Sequence, residues 1–200
     1  MSKTLRTAST HRTTKETAID VTLNLDGTGQ SDITTGIPFF DHMVEQLGRH
    51  GGFDLTVRAS GDLSVDTHHT IEDVGIVLGE CFAESLGNKV GIARFSSRTV
   101  PLDEAAIAVA LDLSGRPFLV YEIDFAPDTP GLGDPAFDPQ LTEEFFRAFA
   151  TAAGITLHIR KVSGKNIHHI VEATFKGVAR CLRDAVRVEG GDVPSTKGTL

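Results

Sequence analysis

Residues Glu16–Gly27 read ETAIDVTLNLDG, and residues Glu104–Gly115 read EAAIAVALDLSG. Seven of the twelve positions coincide at an offset of 88: Glu16/Glu104, Ala18/Ala106, Ile19/Ile107, Val21/Val109, Leu23/Leu111, Leu25/Leu113 and Gly27/Gly115. Arg6 and Arg94 keep that offset upstream. Downstream, HGGFDLTVRASG (His50–Gly61) matches AAGITLHIRKVSG (Ala152–Gly164) at Gly52/Gly154, Leu55/Leu157 and Arg58/Arg160, now 102 apart. HHTIE (His68–Glu72) and HHIVE (His168–Glu172) are 100 apart, as are Cys81 and Cys181. Collinear blocks with a slowly drifting offset mark an internal duplication. The offset grows across PDTPGLGDPAFDP (Pro127–Pro139), which reads as an exposed loop insertion in the second half.

Each half then carries one pattern. Apolar residues alternate through Ile19–Leu25 and Ile107–Leu113, as in a half-buried strand. The turns Asp26-Gly27 and Ser114-Gly115 suit hairpins, with return strands at Ser31–Thr35 and Phe118–Asp124. A helix (Phe39–Arg49 or Thr142–Ala153) and an alternating strand (Phe53–Ala59 or Ile155–Val162) follow. The last and longest helices run Thr67–Leu86, stopped by Gly87, and Ile167–Val188, stopped by Gly190, with Asp66 and Asn166 as N-caps. First strands near Lys3–Ser9 and Ala93–Arg98 complete an α+β fold of duplicated ββ-β-α-β-α halves, each a four-stranded sheet with two helices on one face. Residues 1–92 form the first half, 93–189 the second and 190–200 a C-terminal tail.

Composition narrows the function. The chain has 200 residues, 19 Lys+Arg against 27 Asp+Glu and a net charge of −8, which argues against a nucleic-acid surface. Apolar runs fall short of the roughly 18 residues of a membrane span, and MSKTLRTAST lacks the apolar core of a signal peptide. Two cysteines make no disulfide framework, which fits a reducing cytoplasm; both are expected to pack in the core.

The two HHxxE blocks carry the chemistry. On a helix, His68 and Glu72 share a face and can grip one cation, while His69 is rotated by about 100° and must serve another. His168, Glu172 and His169 repeat the arrangement. His42 lies 13 residues before Leu55, and Glu144 lies 13 before Leu157, so Glu144 stands where His42 stands. The repeat therefore predicts two ligand sets: His42, His69, His168 and Glu172, and His68, Glu72, Glu144 and His169. Such thiolate-free nitrogen and oxygen sets suit Mn²⁺ or Fe²⁺, with Zn²⁺ open. His11 and His158 read as structural; His50, closing a helix, complements its dipole and could touch substrate. Arg94, Arg116, Lys176 and the tail residues Ser195, Thr196 and Lys197 are candidates for holding a phosphate. No phosphate-loop or GxGxxG motif points to a nucleotide.

FFDHM (Phe39–Met43), the HHTIED block, GKNIHHIVEATFK (Gly164–Lys176) and the terminal PSTKG resemble imidazoleglycerol-phosphate dehydratases of histidine biosynthesis, over essentially the whole chain. The resemblance implies a lyase with two Mn²⁺ per active site and ligands drawn from neighbouring subunits of a 24-subunit homo-oligomeric shell. It carries over His42, His69, His168 and Glu172 as one manganese set. The other is His68, Glu72 and His169 with Glu144, where some family members have histidine. Glu16, Arg94, Arg116, Lys176, Ser195 and Lys197 match family substrate contacts, the last five around the phosphate.

The implied reaction converts D-erythro-imidazole glycerol phosphate to imidazole acetol phosphate and water. Metal binding would favour imidazolate, the electron-rich ring would expel the neighbouring hydroxide, and a carboxylate would take the newly acidic C–H proton. Glu16 is the expected acid/base group, since Glu72 and Glu172 are committed to metal. The predicted substrate contacts are Glu16, His42, His50, His68, His69, Arg94, Arg116, Lys176, Ser195, Thr196 and Lys197. The predicted catalytic residues are Glu16, His69 and Glu172. A binuclear metallohydrolase of phosphate esters and a non-enzymatic metal-clipped shell are the alternatives.

Overall fold

The alternating segments become the central strands of two sheets. The computed structural model describes residues 5–200. In order these form β1 (Thr7–Thr13), β2 (Thr17–Asn24), β3 (Ser31–Thr34), α1 (Pro38–Gly51), β4 (Asp54–Gly61) and α2 (His68–Leu86). The second half repeats them as β5 (Phe95–Leu102), β6 (Ala105–Asp112), β7 (Phe118–Glu122), α3 (Leu141–Ala153), β8 (Thr156–Ser163) and α4 (Ile167–Ala185). Each half is a four-stranded sheet, ordered β1-β2-β4-β3 and β5-β6-β8-β7. On β2, Ile19, Val21 and Leu23 are buried while Asp20 and Thr22 are exposed, and Ile107, Val109 and Leu111 do the same on β6. Each such aliphatic side chain contributes about 1.5–3 kcal/mol on burial.

Helices α1 and α2 cover the inner face of the first sheet, and α3 and α4 that of the second. The two helix layers then pack on one another, α2 against α3 and α1 against α4. A phenylalanine cluster fills the seam, with Phe145 in ring contact with Phe40, Phe146, Phe149 and Phe175. The α2–α3 crossing is close because Gly75 and Gly79 face it. A Cβ on Gly75 would sit 2.7 Å from the Phe145 carbonyl oxygen, and one on Gly79 would sit 2.7 Å from that of Phe149.

The expected hairpins at Asp26-Gly27 and Ser114-Gly115 are corrected by the pairing. β2 is flanked by β1 and β4, and β3 pairs only with β4, in parallel; β7 likewise pairs only with β8. The tight connection joins β1 to β2 instead, where Thr14 N donates to Thr17 O at 2.8 Å. Short β3 contributes one inward apolar residue, Ile33, too little for a central position, so it takes the edge. To get there the chain passes the start of β4. Asp54 Oδ1 accepts from Thr28 N (2.7 Å) and Gln30 N (3.2 Å).

Other boundaries shift modestly. β1 begins at Thr7, and the part of its expected span that includes Lys3 lies outside the described residues. β5 begins at Phe95, and α4 ends at Ala185, because Val188 pairs with Ile92 as a bridge between the halves. The Pro127–Pro139 insertion is mostly exposed but anchored by Phe137, fully buried against Phe39 and Phe40. Asn166 caps α4 through His169 N (3.3 Å). At α2, Asp66 accepts from His68 N (2.8 Å) one residue ahead of the cap position, Thr67. Both cysteines are free and buried. No helix of the described residues is long and apolar enough to cross a membrane.

Candidate active site

The first turn of α4 presents His168, with Glu172 one turn on, so both point from one helix face. His168 Nε2 lies 2.9 Å from Glu172 Oε2, and α1 brings His42 Nε2 to the same oxygen at 3.4 Å. Donor atoms of His42, His168 and Glu172 all fall within 4.8 Å of one another. Glu172 is 9% exposed, and its other oxygen takes Lys176 Nζ at 2.5 Å. Burial opposes ionisation of this carboxyl, but hydrogen bonds from Lys176 and His168 outweigh it and hold the pKa below the usual range. The Gln46 amide anchors on the His42 carbonyl oxygen (3.0 Å) and lies 3.4 Å from His42 Nδ1. Phe39 packs edge-on to His168, with centroids 5.1 Å apart.

The corresponding group on α2 is more open. His68 Nε2 and Glu72 Oε2 are 3.9 Å apart. Glu144 lies in the first turn of α3, 3.7 Å from Arg147 Nε. With His68 it lines a cavity of about 410 Å³ whose rim carries Asp124, Asp138 and Glu143, and with Glu72 it lines an adjoining groove.

His69 and His169 join neither group. His69 Nδ1 meets Asp62 Oδ2 at 3.0 Å, and His169 Nδ1 meets Glu104 Oε2 at 2.7 Å. The Asp62 hydrogen bond raises the His69 pKa against the effect of burial, and the nearby charge of Glu16 adds to it. Glu104 is held at about 2 by His169 and by the backbone N–H groups of Asn166 and Lys165. One predicted set is thus brought together as three residues, His42, His168 and Glu172, with His69 elsewhere. Of the other, His68 and Glu72 lie together, Glu144 lines cavities with each of them, and His169 turns to Glu104. Glu16 sits in the β1–β2 connection, exposed, and its carboxylate has no hydrogen bond or ion pair among the described residues.

The predicted phosphate contacts fall into two places. Lys176 and His50 lie by the α4 triad; burial, then Lys176 and Arg180, push the His50 pKa down. Arg94 and Arg116 instead share Asp112, Arg94 Nε at 2.7 Å and Arg116 Nη2 at 3.5 Å. Arg94 Nη1 donates to the Pro194 carbonyl at 2.7 Å, which draws in the tail with Ser195, Thr196 and Lys197. The Arg94 backbone N–H bonds to Ala185 O, so this cluster lies at the far end of α4, about 25 Å along the axis from His168.

The family model described as imidazoleglycerol-phosphate dehydratase matches residues 35–182. The chain belongs to that family. It is 57% identical over 198 residues to imidazoleglycerol-phosphate dehydratase of Methanoculleus marisnigri, covering 98% of this chain and 100% of the relative. The enzyme of Gluconacetobacter diazotrophicus is 54% identical over 200 residues, covering 98% and 99%. Among solved structures, the Staphylococcus aureus dehydratase superposes with a TM-score of 0.80 at 34% identity, covering 91% of this chain and 99% of that one. The Pyrococcus furiosus dehydratase gives 0.80 at 37%, covering 95% and 99%. The protein is therefore an imidazoleglycerol-phosphate dehydratase-family lyase, with the duplicated α+β fold of that family.

The matched span includes all eight candidate ligands, His50, Lys176 and both arginines, but neither Glu16 nor the tail. Five neighbours escaped the sequence reading as parts of the site: Asp62, Glu104, Gln46, Phe39 and Lys89. Gln46 was detectable as the i+4 neighbour of His42. Lys89 lies near Arg94 and Arg116, and burial lowers its pKa while Asp112 opposes the shift; nothing in its local sequence announces that.

Proposed function

We propose that the protein converts D-erythro-imidazole glycerol phosphate to imidazole acetol phosphate and water in the cytoplasm, at paired Mn²⁺ sites completed between copies of the chain. The observation that carries the reading is the convergence of His42, His168 and Glu172 while His69, the fourth member of that set, turns to Asp62. His42, His168 and Glu172 would hold one ion and His68, Glu72 and Glu144 the other. His69 and His169 of neighbouring copies would supply the fourth ligands. The donors fit the metal: imidazole nitrogens beside ionised carboxylates, with both thiols buried elsewhere. Bound there, the ions would supply Lewis acidity to the substrate ring nitrogens, so that the ring gives up its N–H at neutral pH.

The rest falls to the chain. Glu16, unpaired beside His69, takes the proton from the carbon next to the departing hydroxyl and can return it during ketonisation. Lys176 fixes the Glu172 carboxylate and brings positive charge to the edge of the ring site, where the lowered pKa of His50 favours its neutral ring. A small phosphate ester cannot span the ~25 Å between His168 and the Arg94 cluster of one chain. A second copy therefore brings Arg94, Arg116 and the tail to the phosphate, as a closed homo-oligomer such as the 24-subunit shell allows. The test is to purify the protein with Mn²⁺ and measure acetol product and inorganic phosphate together. Acetol formation without phosphate release supports the reading; phosphate release without acetol returns the metallohydrolase. Chelation should remove activity and reduce particle mass together, and a full-size particle after complete metal removal refutes the intersubunit ligands.

A further inference from the structure

We propose that Asp62 and Glu104 are positioning residues that fix the ring and tautomer of His69 and His169, so that each presents Nε2 to a metal ion held by another copy. The inference rests on the metal reading above. An imidazole can ligate through one nitrogen only if its proton sits on the other, and a carboxylate at that other nitrogen keeps it there. Both rings meet this condition in the same sense, with Nδ1 3.0 Å from Asp62 and 2.7 Å from Glu104. Glu104 is anchored through its carboxylate, and Asp62 through its main chain, whose carbonyl accepts Val65 N at 2.8 Å. Glu104 Oε1 accepts Lys165 N (3.0 Å) and Asn166 N (2.7 Å) while Oε2 serves the ring. Asp62 follows directly on β4 and places both its oxygens within 3.3 Å of His69 Nδ1.

The two carboxylates are not repeat equivalents. The β-bulge between Ala106 and Ile107 adds one residue to the second half, so Gly164 is the counterpart of Gly61 and Lys165 that of Asp62, while at 88 the counterpart of Glu104 is Glu16. The structure gives the reason for the change of source. A Cβ on Gly61 would meet Thr70 and Thr17, and one on Gly164 would meet Ile170 and Ala105, the matching residues of the repeat, so the two glycines occupy one position. Lys165 offers no carboxylate where the first half has Asp62, so the second half draws its carboxylate from the β5–β6 connection. In the first half Asp62 does this work, which leaves Glu16 without an orienting role and free to move a proton.

Glu104 also holds the chain leading into α4, so the test must separate positioning from folding. Glu104→Gln keeps an oxygen for the Lys165 and Asn166 N–H groups. Its amide nitrogen, however, donates toward Nδ1, which moves the ring proton to Nε2 and blocks coordination. Asp62→Asn does the same at His69. Mn²⁺ is titrated into the metal-free full-length proteins, with free ion read by electron paramagnetic resonance and melting temperature measured in parallel. Each variant is expected to bind one of its two Mn²⁺ about 10–100-fold more weakly than the parent, and Asp62→Glu to recover part of the loss. Parent-like Mn²⁺ affinity in both amide variants, with or without a lower melting temperature, overturns the positioning role and leaves the metal reading intact. A parent protein that binds no Mn²⁺ refutes the metal reading itself.

Discussion

Subunit complementation gives the sharpest test of the split ligand sets. Consider two variants, His69→Ala and Glu172→Gln, each of which should be inactive alone. If the His42–His168–Glu172 triad of one copy meets His69 of another, a mixed particle can rebuild intact sites. A site is whole when its triad comes from the His69→Ala chain and its His69 from the Glu172→Gln chain. With the two chains in equal amounts and placed at random among equivalent positions, each condition holds half the time, so about one quarter of the sites are intact. The set built on His68, Glu72 and Glu144 is untouched by either change and does not alter the figure. The assay is co-expression with two affinity tags, tandem purification, Mn²⁺ loading and measurement of acetol product. The expected result is about 25% of parental kcat per subunit, with unchanged KM, since the rebuilt sites are parental. Mixed particles no more active than either variant alone would refute the sharing, because a site within one chain is never rebuilt by mixing.

Deleting Pro194–Leu200 should raise KM strongly while costing about 1 kcal/mol or less of stability, since it removes exposed chain and the Arg94–Pro194 hydrogen bond; unchanged kinetics in the truncated protein would refute a substrate role. Glu144→Ala should lose one Mn²⁺ per subunit, as His42→Ala loses the other, and Glu144→His should retain activity while preferring softer ions; full metal content in Glu144→Ala at parental affinity would exclude it as a ligand. Asp54 has its pKa lowered by hydrogen bonds from Thr28 and Gln30, so its contribution to stability is complete above the ordinary carboxylate pKa and fades as pH falls through the lower folded value. The melting-temperature gap between the parent and Asp54→Asn should therefore shrink below about pH 4; a gap constant from pH 7 to pH 3 would contradict the assignment.

Most of the fold was legible because its signals are local or repeated. Alternation in Ile19–Leu25 and Ile107–Leu113 reports which side chains point inward, and the duplication turns two weak patterns into one strong one. Strand order was not legible. The alternation of β2 states that one face is buried but not which strands lie on either side, and Asp26-Gly27 has the chemistry of a hairpin while sitting in a crossover pinned by Asp54. The candidate ligands stand out in the sequence through the i, i+4 spacing of His68 with Glu72 and of His168 with Glu172. Asp62 and Glu104 do not, because they reach their histidines across the end of a sheet, and such pairings follow from register rather than from separation along the chain. Glu104 was harder still, since the repeat relates it to Glu16, whose surroundings differ.

The glycines at the α2–α3 crossing have a reach beyond packing. Gly75 lies less than one turn from Glu72, and the carbonyl it touches belongs to Phe145, the immediate neighbour of Glu144. The two carboxylates proposed to share one ion are therefore gauged by a backbone contact with no side chain between. A methyl group at Gly75 would meet an oxygen at 2.7 Å, and the helices would have to part by several tenths of an ångström. Metal–oxygen bonds tolerate errors of only about 0.2 Å. The calibration of that half-site is thus written into a residue that bears no donor atom, and a survey of ligands alone would pass it over.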